Sequence, residues 1–264
     1  MKIVVCIKQV PDTTEVKLDP KTNTLIREGV PSIINPDDKA GVEAALRLKE
    51  TLGAKVTAVC MGPPQADVAL REALAMGCDE GVLISGREFG GSDTYATATI
   101  IAAGLKKIGF DLIITGRQAI DGDTAQVGPQ IAEQLGIPQV SYAEEIQAEA
   151  GGKAFIVKRQ FEDRYQRIRV KAPCLLTALS ELARPRYMTV RGIVEAYEYK
   201  MQILGFEDLK EMINPDYIGL KGSPTNVMRS FTKEPKGQGT KLRDLSAEEA
   251  VTAIVAKLEE KNLI

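Results

Sequence analysis

The stretch Thr115–Gln130, TGRQAIDGDTAQVGPQ, is the densest concentration of ligand-binding chemistry in this 264-residue chain. Glycines at 116, 122 and 128 permit tight turns and close approach of a ligand to the backbone. Asp121, Asp123 and Thr124 carry short oxygen-bearing side chains that can cap backbone N–H groups or bind ribose hydroxyls. Pro129 cannot sit deep in a helix, so a helix is predicted to start near Gly128, leaving a loop whose amides point at a ligand. An anion would be favoured at that helix end. An elaborate turn without a ligand explains the same residues, and both readings stay open at this level. Gly90-Gly91-Ser92-Asp93-Thr94, ahead of another helical segment, is a weaker phosphate cradle. A flexible loop with Ser92 or Asp93 as N-cap accounts for it equally well. Arg184 and Arg186 offer phosphate-binding charge, although solvated loop charges are the commoner use.

Several chemistries are excluded by composition. The chain has no histidine, which removes imidazole bases, Ser-His pairs and His-ligated metals. Its four cysteines, Cys6, Cys60, Cys78 and Cys174, form no CxxC pair and sit in apolar segments, as small buried hydrophobes do. No GxxxxGK[ST] is present, and no GxGxxG follows a strand. With 34 basic against 36 acidic residues the net charge is −2, so nothing recommends a nucleic-acid partner. No apolar run approaches the roughly 20 residues that cross a bilayer, and the N-terminus turns polar too soon for a signal peptide. A cytoplasmic protein without membrane insertion is the expectation.

The elements that must position these loops alternate over the first 140 residues. Lys2–Ile7 and Lys55–Met61 are apolar runs rich in β-branched residues, as strands buried on both faces are. Gly81–Ser85 and Asp111–Thr115 read as two more strands. Helices are predicted over Pro36–Leu52 with Asn35 as N-cap, over Gln65–Met76 ending at Gly77, and over Thr94–Ile108. Another runs from about Gly128 to Leu135. This spacing implies a parallel sheet with helices on both faces, whose ligands sit at the carboxyl ends of the strands. The informative loops are then Lys8–Asp12, Met61–Pro64, Gly86–Thr94 and Gly116–Gly128.

From Ala154 the pattern alternates around Glu162-Asp163 as an antiparallel hairpin, about 154–171, followed by a strand over Pro173–Ala178 and a helix from Thr189. Residues 198–245 show little periodicity. Ser246–Leu258 closes the chain as an amphipathic helix with a capping box, Ser246 to Glu249. The expected fold is α/β: a flavodoxin- or Rossmann-like nucleotide-binding domain over 1–195 and an extended C-terminal arm over 196–264. The arm either wraps a partner or docks on its own chain.

VCIKQVPD (5–12), NPDDKAGVEAALRLKE (35–50), AVCMGPPQADVALREALAMGCDEGVLI (58–84), TGRQAIDGDTAQVGPQIAEQLGIPQ (115–139) and APCLLTALSELARPRYMT (172–189) together resemble the β subunit of electron transfer flavoproteins. The resemblance spans essentially the whole chain and implies an arm that embraces an α subunit. Conventional members hold structural AMP in this subunit, whereas electron-bifurcating members hold a second FAD there, reduced by NADH. Where conventional members resemble D-x-N-x-T-G, this chain has Asp123-Thr124-Ala125-Gln126-Val127-Gly128. Ala125 and Val127 thus replace two polar AMP contacts, worth roughly 1 kcal/mol each, and the sequence is similar to the bifurcating branch.

The resemblance places Cys6, Asn35, Met61, Ala119, Gly122, Ala125, Gln126 and Val127 around the adenylate half, with backbone contacts at Cys6 and Met61. Lys8, Gln9 and Val10 are candidates for the ribityl, pyrophosphate and flavin half, together with Gly90, Gly91, Ser92, Asp93 and Thr94. Gly116, Arg117, Asp121, Asp123 and Thr124 complete the cofactor-binding set. Leu182 corresponds to the leucine that conventional members insert into a partner dehydrogenase; a loop-packing leucine is its plainer reading. The implied function needs no catalytic side chain and no metal. The FAD accepts hydride from NADH, and one electron goes to ferredoxin or flavodoxin. The other passes through the α-subunit FAD to an acyl-CoA dehydrogenase, and the isolated chain is inactive. The rivals are a conventional electron shuttle with AMP and, from another class, a stand-alone adenine-nucleotide hydrolase or sensor.

Overall fold

Lys2–Ile7 (β1) is an interior strand of the sheet, buried on both sides because both of its faces are apolar. Ile3, Val5 and Ile7 enter one core and Val4 and Cys6 the other, as the two-residue period of a strand requires. Each fully buried side chain of this size contributes roughly 1.5–3 kcal/mol. The computed structural model describes residues 1–12, 31–228, 237 and 239–264. The polar segment after Asp12 and residues 229–236 and 238 of the expected arm lie outside the described residues.

After β1 come the short strands Gln9–Pro11 (β2) and Ser32–Ile34 (β3), which pair with each other as a separate antiparallel ribbon. The alternation follows: Pro36–Leu52 (α1), Lys55–Met61 (β4), Asp67–Met76 (α2), Glu80–Ile84 (β5), Thr94–Ile108 (α3), Leu112–Gly116 (β6) and Val127–Leu135 (α4). Then come Gln139–Ala148 (β7), Ala154–Gln160 (β8), Tyr165–Lys171 (β9), Cys174–Ala178 (β10), Val190–Glu198 (α5) and Gln202–Leu204 (β11). Two single turns of helix, Phe206–Leu209 (α6) and Gly219–Gly222 (α7), precede Ala247–Glu260 (α8). Nine strands form one sheet in the order β11-β5-β4-β1-β6-β10-β7-β8-β9. It is parallel from β11 to β7, and β8 and β9 add an antiparallel hairpin at one edge. The chain steps outward from β1 to β4 and β5, then crosses back to lay β6 on the other side of β1. The carboxyl ends of β1 and β6 therefore flank the topological switch point, where such sheets bind ligands.

The parallel α/β sheet and its hairpin match the sequence reading, and α3 keeps its expected bounds. Four strands were not foreseen. In β7 the alternation is interrupted by Tyr142 at φ 60° and by a register shift between Ala143 and Glu145. β11 is only three residues long, yet it pairs with β5 inside the stretch read as aperiodic. β2 and β3 are shorter than any periodicity test resolves. The predicted helix over Gln65–Met76 opens instead with a tight turn at Pro64–Ala66.

Among the described residues two units separate, one of 1–12 and 31–228, the other of 237 and 239–264. Within the second, α8 has its expected capping box: Ser246 N donates to Glu249 at 2.8 Å and Glu249 N donates back to Ser246 Oγ at 3.3 Å. Among the described residues no helix is long and apolar enough to cross a membrane.

Candidate functional site at the switch point

The first turn of α1 holds the loops of the switch point together. Asp38 is buried, and its two oxygens accept from Lys8 N at the end of β1 and from Gly116 N at the end of β6, each at 2.8 Å. Burial lifts its pKa to about 7, against the two amide hydrogen bonds that favour the charged form. Only glycine fits at 116, because a Cβ there would fall on Asp38 Oδ1. Asn35, expected to cap α1, makes no capping hydrogen bond. Its side chain is spent on the loop after β6 instead: Nδ2 donates to Gln118 O at 2.8 Å and Oδ1 accepts from Ile120 N at 3.0 Å. Asp37 faces Arg117, with Oδ2 and Nε 3.4 Å apart. Neither Asp37 nor Asp38 was singled out in the sequence. Two acids opening an otherwise buried helix, beside loops that need anchoring, were the available signal.

The loop from Arg117 to Gln126 is shaped by strain. The carbonyl of Ala119 accepts from Gly122 N and Asp123 N at 3.2 and 2.9 Å, closing a turn. Asp123 and Ala125 sit at φ 50° and 53°, the left-handed region that costs a residue with a side chain about 1–2 kcal/mol. Lys8 Nζ and Asp121 Oδ1 form a 2.7 Å ion pair across the switch point. Asp123 accepts from Gln118 Nε2 at 2.9 Å. α4 then starts at Val127, one residue earlier than read, with no side-chain cap on its first turn. Gly128 is required inside: a Cβ would lie 2.6 Å from Thr115 Oγ1 and 2.8 Å from Thr177 Cγ2. Uncapped amides at a helix start, beside a lysine and the exposed Thr124 and Gln126, form a donor set that fits a phosphate-bearing ligand.

The other named residues lie around this point. Cys6 is buried at the end of β1, and burial pushes its thiol well above the usual range. Val10 is buried in β2, and Gln9 Nε2 donates to Gln65 O at 3.4 Å. Met61 ends β4 half-buried. Thr94 Oγ1 donates to Gln126 Oε1 at 3.0 Å, which joins the second glycine loop to the first.

That second loop is already occupied by its own chain. Ser92 Oγ donates to Phe89 O and accepts from Gly219 N, and Leu220 N donates to Gly90 O. The amide of Asp93 donates to Ser223 Oγ at 2.8 Å, and the carbonyl of Gly91 accepts from the same hydroxyl at 3.5 Å. Asp93, not Ser92, caps α3 by accepting from Ala96 N at 3.0 Å, and its other oxygen accepts from Thr225 N and Oγ1. Burial acts to raise its pKa, but these hydrogen bonds hold it below the usual carboxylate range.

Leu182 ends a turn, Ser180–Leu182, half-buried against the core. It lines a cleft of about 440 Å³ between α1 and β7. Arg186 beyond it is clamped to Glu43 at 2.8 Å and Glu50 at 2.6 Å, so it is engaged by its own chain.

The electron transfer flavoprotein domain matches residues 22–201. An electron transfer flavoprotein subunit β of Clostridium acetobutylicum is 54% identical over 264 residues, covering all of both chains. The chain belongs to the electron transfer flavoprotein β-subunit family. It is also similar, at 54% over 266 residues and the full length of both, to the caffeyl-CoA reductase-Etf complex subunit CarD of Acetobacterium woodii. The acryloyl-CoA reductase electron transfer subunit gamma of Anaerotignum propionicum is 52% identical over 271 residues, again full length. Membership of this flavoprotein family carries with it a flavin or related nucleotide cofactor and a part in a redox complex.

Proposed function

We propose that this chain is the β subunit of a heterodimeric, electron-bifurcating flavoprotein, and that its switch point holds FAD rather than AMP. Bound there, the flavin would supply hydride acceptance from NADH and one-electron transfer, to ferredoxin or flavodoxin and, through the α-subunit FAD, to an acyl-CoA dehydrogenase-type acceptor. The observation that carries the reading is the loop Asp123–Gly128. Ala125 and Val127 present no polar side chain where an AMP-only site needs them, so binding must draw on contacts elsewhere. The similarity to subunits named for caffeyl-CoA and acryloyl-CoA reductases supports the same direction.

In this reading the chain's residues bind and orient. The first amides of α4 and Lys8 meet the phosphates, and Asp121 holds Lys8 in place. Cys6, Asn35, Met61, Ala119, Gly122 and Gln126 frame the adenine and ribose; Gln9 and Val10 border the flavin half. No side chain moves a proton. The C-terminal arm embraces the α subunit, and the Leu182 turn meets the acceptor dehydrogenase.

The deciding experiment co-purifies the chain with its α subunit, denatures the complex and separates the released nucleotides. The expected result is two FAD and no AMP per heterodimer. One FAD with one AMP would make this a conventional electron shuttle.

A further inference from the structure

We infer that Asp37 and Arg117 are positioning residues that couple the nucleotide loop to the Leu182 turn. The inference rests on the reading that the loop 117–127 holds a nucleotide, whether FAD or AMP. Asp37 is the second residue of α1 and lies between the two regions. On one side is Arg117, first residue of the loop after β6, whose Nε stands 3.4 Å from Asp37 Oδ2. On the other is the turn Ser180–Leu182, against which α1 packs.

The backbone repeats the connection. Arg117 N donates to Ala178 O at 2.8 Å, so the loop is tied to the last residue of β10, from which the Leu182 turn departs. Leu182 N closes that turn on Leu179 O at 3.0 Å. The far end of the segment is fixed to the same helix by Arg186 on Glu43 and Glu50. Helix α1 thus grips the turn at both ends and the nucleotide loop at one.

Within this frame the Asp37–Arg117 contact is the compliant part. Asp37 Oδ2 and Arg117 Nε are both buried and neither has a hydrogen-bond partner among the described residues. A pair attracted by charge without a directional bond follows displacement of either partner. The neighbouring links, Asp38 to Gly116 and Asn35 to Ile120, are hydrogen bonds of 2.8 and 3.0 Å and hold their geometry. Movement of the Arg117 side chain when a nucleotide enters therefore reaches α1 through Asp37, and with it the Leu182 turn that packs on α1. The coupling would let an acceptor protein sense whether the site is loaded.

The test uses the heterodimer, stripped of nucleotide and then reloaded with AMP or, in parallel, FAD, and reads backbone hydrogen exchange. In the wild type, reloading should slow exchange in 117–127 and, by about fivefold, in 179–183. In Asp37→Asn, 117–127 should still be protected while 179–183 no longer responds. Asp37→Glu, which keeps the charge, should retain at least half of the response, and it carries the test if Asp37→Asn fails to fold. Equal exchange in 179–183 with and without nucleotide in the wild type would overturn the coupling, as would a wild-type response in Asp37→Asn. Failure of both nucleotides to protect 117–127 in the wild type is a separate result, which removes the functional reading and the coupling with it.

Discussion

Two glycine-bearing loops precede two helices on the same edge of this sheet, and they have opposite fates. The loop Gly90–Asp93 ends in a capped helix and is bound along its length by residues 219–225. The loop Arg117–Gln126 ends in an uncapped helix, contains two left-handed non-glycine residues and leaves its far half exposed. Composition barely separates them. What separates them is whether the donors already have partners: a helix start whose amides are bonded has little left to offer an anion.

This contrast can be broken most severely at Gly116. Gly116→Ala forces a Cβ onto Asp38 Oδ1 and should destabilise the heterodimer by at least about 3 kcal/mol in denaturant melts, with loss of bound nucleotide. Next in size is the pH dependence at Asp38. Its folded pKa, near 7, exceeds that of an unfolded aspartate, so the folded state binds the proton more tightly and stability falls as pH rises through roughly 4 to 7. Calorimetry from about pH 5 to about pH 8 should show a few kcal/mol of loss in the wild type and a flatter profile in Asp38→Asn. A smaller effect is expected at the occupied loop. Asp93→Ala removes the α3 cap and the Thr225 contacts and should cost about 1–2 kcal/mol, leaving nucleotide content, read by chromatography, unchanged. Loss of nucleotide there would bring the second loop into the site. The smallest change is Ala125→Gly, which relieves the left-handed strain and should raise stability by up to about 1 kcal/mol.

Much of the frame was legible because it is local. β1 and β4 announce themselves as continuous apolar runs, α3 by its spacing and its Asp93 cap, and α8 by a capping box written into four residues. The positions that escaped are those where distant segments decide. Asn35 looks like an N-cap, but its side chain is claimed by Gln118 and Ile120, more than 80 positions away. Ser92 and Asp93 look available until Gly219 reaches the first, and Ser223 and Thr225 the second, from some 130 positions downstream. Asp38 looks like an ordinary first-turn acid, and only the convergence of β1 and β6 makes it the tie between two loops. Local period and cap rules cannot report a side chain's partner when that partner is brought in by the sheet.

The four thiols have a practical use that follows from their placement. All are free and buried, and burial pushes those of Cys60, Cys78 and Cys174 up to about 12. At neutral pH they stay in the unreactive neutral form, so alkylating reagents must wait for the chain to open. Cys6 lies in one core and the other three in the core across the sheet. Their separate labelling rates would time the opening of each side of the sheet without any added probe.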